Sequence, residues 1–189
     1  MGQIAGGYKY IKNFLTPEEL KLLRSYTEYF HQFNVTHFDC SGMNDNFDTY
    51  YYSDPIMESL LFNKTELMEK ETQIKKLLPS YTFWRFYTYG AELKHHIDRD
   101  SCEISVTLPL YVSDPWPINM GDKTNSINIE PGDAIAYNGR DIYHGRDPFK
   151  GDGQSQVFLH YVDGNGPYKE WANDKRPALG YPGDLRKDG

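Results

Sequence analysis

The run Lys94-His95-His96-Ile97-Asp98 places two side chains suited to holding a metal two positions apart. In an extended chain such residues project to one face, so His96 and Asp98 can grip a single ion while His95 and Ile97 point the other way. A lone H-x-D pair arises often by chance. Here a second segment, Tyr143-His144-Gly145-Arg146, offers a further imidazole. Two histidines and one carboxylate make a facial triad that leaves adjacent positions open on an octahedral ion, which suits non-heme Fe(II) chemistry with O2. A structural zinc site would instead be closed by a fourth protein ligand.

The chain between these segments must carry His144 back to His96 and Asp98. It reads as a strand over 104–111, a loop, the turn Pro131-Gly132-Asp133 and a strand over 134–137, enough to cross a small sandwich and return to the same end. Further strands are expected over 7–12, 81–89, 126–129 and 156–162. Short strands with Gly and Pro punctuation point to a sandwich or barrel rather than a βαβ array. Before them, Thr16, Pro17 and Glu19 form a helix start with a capping box, and Leu20, Leu23, Tyr26 and Phe30 continue an apolar stripe over 17–31. A second helix is expected after Asn63, with Glu66 as its capping-box partner, carrying Leu67, Ile74 and Leu78 and stopping at Pro79. Residues 34–54 read as short strands or a lid, and the tail from 164 as a wrapping or frayed segment. The whole, 1–189, is expected to be one domain: strand and helices in 1–80, the metal-bearing barrel in 81–163, an irregular tail in 164–189.

The chain has 189 residues, of which 39% are hydrophobic and 25% charged. That fits a soluble globular domain, and no run nears the roughly 18 apolar residues of a membrane helix. The net charge of −7 is the wrong sign for a phosphate-backbone binder, so nucleic acid is not an expected partner. Two cysteines, Cys40 and Cys102, fit a reduced compartment. The opening Met-Gly-Gln-Ile-Ala-Gly has neither the pattern of a secretory signal nor that of a myristoylation site, and a cytoplasmic location is expected. Aromatics reach 15%, with 16 Tyr, which suits twisted half-buried strands and a site lined by rings with polar tips.

In order and spacing, the segment 81–163 resembles the 2-oxoglutarate- and Fe(II)-dependent oxygenases, particularly the prolyl-4-hydroxylase-like branch. The shared pattern is Tyr87, Gly90, His96-Ile97-Asp98, the apolar strand 104–111, Pro131-Gly132-Asp133 and His144; Tyr10 to Glu19 is similar to that branch's opening strand and helix. The resemblance implies a mainly β fold, a double-stranded β-helix (jelly roll or cupin-like) with flanking N-terminal helices. It implies Fe(II) on His96, Asp98 and His144, with 2-oxoglutarate and O2 as cosubstrates. The implied reaction hydroxylates an unactivated C–H of a small-molecule or peptidyl substrate, prolyl included, and releases succinate and CO2.

The sequence departs from the family at one point. The family carries an Arg or Lys on the strand after the distal His, facing the far carboxylate of 2-oxoglutarate, but residues 154–161 contain no cation. Burying a dicarboxylate without a positive partner is costly. Arg146 is the first substitute, sharing a strand face with His144; Gln156 is second, and Tyr87 and Tyr111 offer phenols. Arg85 and Arg99 are weaker candidates, and Arg146 could instead hold a substrate carboxylate. The missing cation keeps open a cupin-like metalloenzyme that does not use 2-oxoglutarate, and a non-catalytic binding domain on the same barrel. Other residues read as ordinary structure: His160 as an interior histidine, His31 and His37 as surface, Trp84 and Trp116 as core or rim, and Cys102 as a small interior residue. Asp141 and Asp147 either orient His144 or belong to turns. Substrate choice is expected to lie in loops 34–54 and 113–125.

Overall fold

A computed structural model describes residues 2–37, 48–122 and 124–179, with side chains 34–37 excepted. Cys40, much of the proposed lid and the last residues of the tail lie outside that range. In chain order the strands are β1 (Tyr8–Ile11), β2 (Thr49–Tyr52), β3 (Leu77–Tyr87), β4 (Leu93–His96) and β5 (Ile104–Val112). They continue as β6 (Ile118–Met120), β7 (Ser126–Ile127), β8 (Ala134–Asn138), β9 (His144–Arg146) and β10 (Gln154–Asp163). A six-stranded sheet runs β1-β8-β5-β10-β3-β2, and a four-stranded sheet runs β4-β9-β6-β7. Every pairing is antiparallel. This is the double-stranded β-helix, with helices ahead of it in the chain.

Alternation along the central strands sorts the two faces of the large sheet. Trp84, Phe86, Val106, Leu108, Val157, Leu159 and Tyr161 form one apolar cluster with Phe14, Leu23, Met57 and Leu61 from the N-terminal region. The opposite face turns Phe83, Tyr87 and Phe158 toward Trp116 and Phe149, closing the barrel interior. Because both faces are covered, β10 is buried along its whole length.

The helix α1 spans Pro17–His37, longer than expected. Its capping box is formed: the Thr16 N–H donates to Glu19 at 2.8 Å and the Glu19 N–H to the Thr16 hydroxyl at 3.2 Å. The second helical region differs from expectation. Asn63 ends a helix α2 (Pro55–Asn63) instead of capping one, and α3 (Thr65–Thr72) follows. Asp54 caps α2 by accepting the Ile56 and Met57 N–H groups, with Pro55 in the first turn. Pro79 does not stop a helix; it lies inside β3. Its missing donor is tolerated because β2 pairs only with residues 83–86 and because β3 bulges at Ser80 against β10. Within 34–54 the described part holds the end of α1 and strand β2.

The tail wraps the domain as far as it is described. The segment Lys169–Lys175, 3-10 in part and kinked at Ala172, Asn173 and Asp174, packs on β3. Arg176, 7% exposed, is inserted between α2 and β3, where it meets Glu58 at 3.2 Å and donates to the Ser80 carbonyl at 2.7 Å. No helix among the described residues is long and apolar enough to cross a membrane.

Candidate metal centre

The short strands β4 and β9 pair so that His96 stands opposite His144, and this register brings the two imidazoles together. Their ring centres lie 4.4 Å apart. Asp98 follows β4 directly, its N–H donating to the Gly139 carbonyl at 2.8 Å, which turns its carboxylate back toward the pair. Asp98 Oδ1 is then 3.5 Å from Nε2 of His96 and 3.5 Å from Nε2 of His144. The three ligand atoms all lie within 4.8 Å of one another, close enough for one ion.

The remaining polar atoms of the three residues are committed elsewhere. Nδ1 of His96 lies 2.7 Å from the Lys94 carbonyl and Nδ1 of His144 lies 2.9 Å from the Ile142 carbonyl. A carbonyl only accepts, so each Nδ1 carries the proton and each Nε2 turns a lone pair toward Asp98. That is the tautomer a metal ligand needs, fixed by the backbone. Asp98 Oδ2 accepts the Ser105 hydroxyl at 2.8 Å. Burial opposes the charge of Asp98, yet the His144 and His96 imidazoles beside it, which donate from Nε2 once they take a second proton, outweigh it and hold the carboxyl well below its usual range. Asp98 in turn favours that second proton on His96 and raises its pKa, against its partial burial.

Two small or polar neighbours complete the setting. Gly139 approaches so closely that a Cβ there would sit 2.3 Å from the Cys102 carbonyl, 2.4 Å from Asp98 Oδ2 and 2.7 Å from the Ser105 hydroxyl. Tyr137, projecting inward from β8, places its hydroxyl 3.4 Å from Nε2 of His144. The sequence reading singled out neither. His160 is the interior histidine expected: its Nδ1 lies 2.9 Å from the Ser105 hydroxyl and its ring stacks on Tyr81. Burial lowers its pKa to about 4. Cys102 is buried against the Tyr81 hydroxyl, and burial pushes its thiol up to about 12.

Of the residues expected to hold a cosubstrate, Arg146 and Tyr87 meet across one ring. The Arg146 guanidinium lies 5.0 Å over Trp116, and Tyr87 packs edge-on to the same indole at 4.9 Å. Arg146 is 5% exposed and donates through Nη1 to the Trp116 carbonyl, while its Nε and Nη2 have no partner among the described residues. Burial lowers its pKa to about 10. Gln156 also faces inward but is engaged, donating to the Thr107 hydroxyl at 2.7 Å and accepting from Gln154 at 2.7 Å.

Tyr111 is not part of this set. β5 bulges opposite Ser155 and Gln156, so Leu110 has no partner on β10 and Tyr111 shifts to the helix-packed face. There it packs near Phe86, with the Arg24 guanidinium 4.5 Å over its ring. Arg85 is paired with Asp48, and Arg99 with Asp174. His31 is no free surface residue: it stacks on Phe86 at 4.0 Å and lies 2.7 Å from the Thr49 hydroxyl. Trp84 is core and Trp116 is nearly so. Asp141 accepts from Gln3 instead of orienting His144, whose Nδ1 is held by Ile142.

No protein-family model matches the sequence, and no curated protein matches it. Solved structures match in fold. The viral collagen prolyl hydroxylase of Paramecium bursaria Chlorella virus-1, in its 2OG complex, is 14% identical with a TM-score of 0.58, covering 82% of this chain and 94% of that one. A Pseudomonas putida prolyl-4-hydroxylase is 15% identical with a TM-score of 0.58, covering 82% and 91%. The epimerase SnoN, solved with Fe3+, alpha ketoglutarate and nogalamycin RO, is 10% identical with a TM-score of 0.65, covering 93% and 88%. The chain thus shares the fold of prolyl hydroxylases and 2-oxoglutarate-dependent oxygenases.

Proposed function

We propose that this chain is an Fe(II)- and 2-oxoglutarate-dependent dioxygenase that hydroxylates an unactivated C–H of a small-molecule or peptidyl substrate, prolyl included. The observation that carries the reading is the convergence of two Nε2 lone pairs on one carboxylate oxygen, with both Nδ1 protons tied to backbone carbonyls. Three protein donors on one side of an ion leave room for ligands on the other, as oxygen chemistry requires. The fold neighbours supply a second support, since structures of that fold hold iron and 2-oxoglutarate.

His96, Asp98 and His144 would hold the metal, and Ser105 keeps Asp98 from rotating. Arg146 fits the far carboxylate of 2-oxoglutarate. A buried cation with two unpaired N–H groups is costly unless an anion meets it, and a carboxylate can accept from both nitrogens. Arg146 thereby stands in for the cation missing from 154–161, with the Tyr87 phenol beside it. When bound, the metal and cosubstrate supply the oxidising power; the protein positions the substrate and excludes water.

Adding Fe(II) and then 2-oxoglutarate to the protein without oxygen tests the reading. A visible charge-transfer band that appears only with 2-oxoglutarate supports it. Iron uptake without the band favours a cupin-like enzyme with another cosubstrate, and no uptake favours a non-catalytic domain. His144→Ala is expected to lose both iron retention and succinate production, and normal turnover by that variant would refute the triad.

A further inference from the structure

Tyr137 has no part in the roles above. β8 turns its side chain into the barrel, 1% exposed, with its ring centre 4.6 Å from that of His144. Its hydroxyl lies 3.4 Å from Nε2 of His144. Since Nδ1 of that imidazole faces a carbonyl, Nε2 accepts and the Tyr137 O–H donates. That lone pair is the one a metal ion would take. One lone pair cannot serve both.

We infer that Tyr137 is an exchangeable donor of the metal centre, an inference that rests on the function proposed above. A divalent cation on His144 takes the acceptor of Tyr137, and the freed hydroxyl then donates to the oxyanion ligand that completes the ion's coordination, the 2-oxoglutarate carboxylate. The one neutral partner at hand is shared: the Ser105 hydroxyl, which also meets Tyr137, donates to Asp98 and lies against Nδ1 of His160, while Asp98 Oδ1 is itself a ligand atom. A carboxylate accepts more strongly than a shared hydroxyl, so the incoming anion is the better partner for the freed donor. Tyr137 therefore acts in opposite directions on the two ligands, competing with the metal and favouring the cosubstrate.

Tyr137→Phe removes one oxygen and keeps the ring. Binding is read without turnover by titrating the metal-free protein with Co(II), followed by its visible absorption, and then titrating the loaded protein with 2-oxoglutarate. The variant should bind Co(II) several-fold more tightly and 2-oxoglutarate about tenfold more weakly, the worth of one good hydrogen bond. Either affinity at the wild-type value overturns the inference; unchanged 2-oxoglutarate binding would mean the freed hydroxyl turns to Ser105 instead. If Tyr137→Phe does not fold, Tyr137→Met is read by the same two titrations. Wild-type protein that takes up no Co(II) would sink the proposed function and this inference together, whereas a variant matching a competent wild type sinks this inference alone.

Discussion

The Ser105 hydroxyl donates to Asp98 Oδ2 at 2.8 Å, and the same oxygen lies 2.9 Å from Nδ1 of His160. This chain, His160 to Ser105 to Asp98, fixes which carboxylate oxygen faces the two imidazoles. Ser105→Ala breaks it in the middle, leaving Asp98 free to rotate and a buried imidazole N–H unpaired. Loss of such outer hydrogen bonds costs about 10- to 100-fold in metal affinity. Co(II) titration of the variant should show that drop, and a wild-type affinity would mean that the Asp98 N–H bond to Gly139 and the close packing of Gly139 orient the carboxylate alone.

Arg146 leads to a prediction with two signs. Its guanidinium is buried with Nε and Nη2 unpaired among the described residues, so the protein without cosubstrate bears a cost that Met would not incur. Arg146→Met is expected to raise the unfolding free energy of the metal-free protein by about 1–3 kcal/mol in urea. The same variant should lose the thermal stabilisation that 2-oxoglutarate gives to the Co(II)-loaded wild type. A variant both less stable and still responsive to 2-oxoglutarate would show that Arg146 is structural.

How much of this could be read from the sequence depends on whether the signal was local. The α1 capping box involves residues three apart, and it formed as expected. The H-x-D pair and the distal His were legible as a local spacing and a recurring order of elements, although Asp98 lies past the end of β4 and is turned toward His96 by its bond to Gly139 instead of by strand alternation. The start of α2 was written in Asp54-Pro55 but was masked by the aromatic run before it. Tyr111 went astray because a bulge reversed its face, and a bulge depends on the partner strand. Tyr137 was invisible for a related reason: at an alternating position in a strand buried on both faces, sequence does not say which residues look into the barrel. Gly139 gave no signal beyond being a glycine after Asn138; only the approach of Asp98 and Ser105 shows why no Cβ fits there.

The tail's contribution can be measured at Arg176. Its side chain and that of Glu58 are 1% and 7% exposed, and Glu58 also accepts the Ser53 hydroxyl and the Thr82 N–H. Removing one member of a buried pair leaves an uncompensated charge and costs about 3–5 kcal/mol. Because Ser53 and Thr82 still support the carboxylate, Arg176→Ala is expected near about 3 kcal/mol by chemical denaturation. A change below about 1 kcal/mol would mean the tail lies on the domain without holding it.

The dependence of stability on acid follows from the buried histidines. Burial lowers His160 to about 4 from an ordinary value of 6.5, so the folded protein holds it neutral where the unfolded chain would protonate it. Between those values the unfolded state binds more protons, and stability falls as the pH falls. His160 imposes no loss above 6.5; its effect grows below that value and levels off near 4, at up to ~1.4 kcal/mol per pH unit. His31, also lowered by burial, adds to the same trend. His96, raised by Asp98, acts in the opposite sense near neutral pH, so denaturation of the metal-free protein should show the loss between about pH 6 and pH 4.5. His160→Asn should be weaker at pH 7, having lost the stacking on Tyr81, yet show a shallower slope, with the His31 part remaining. An unchanged slope in that variant would show that His160 takes up its proton in the folded state as readily as in the unfolded one.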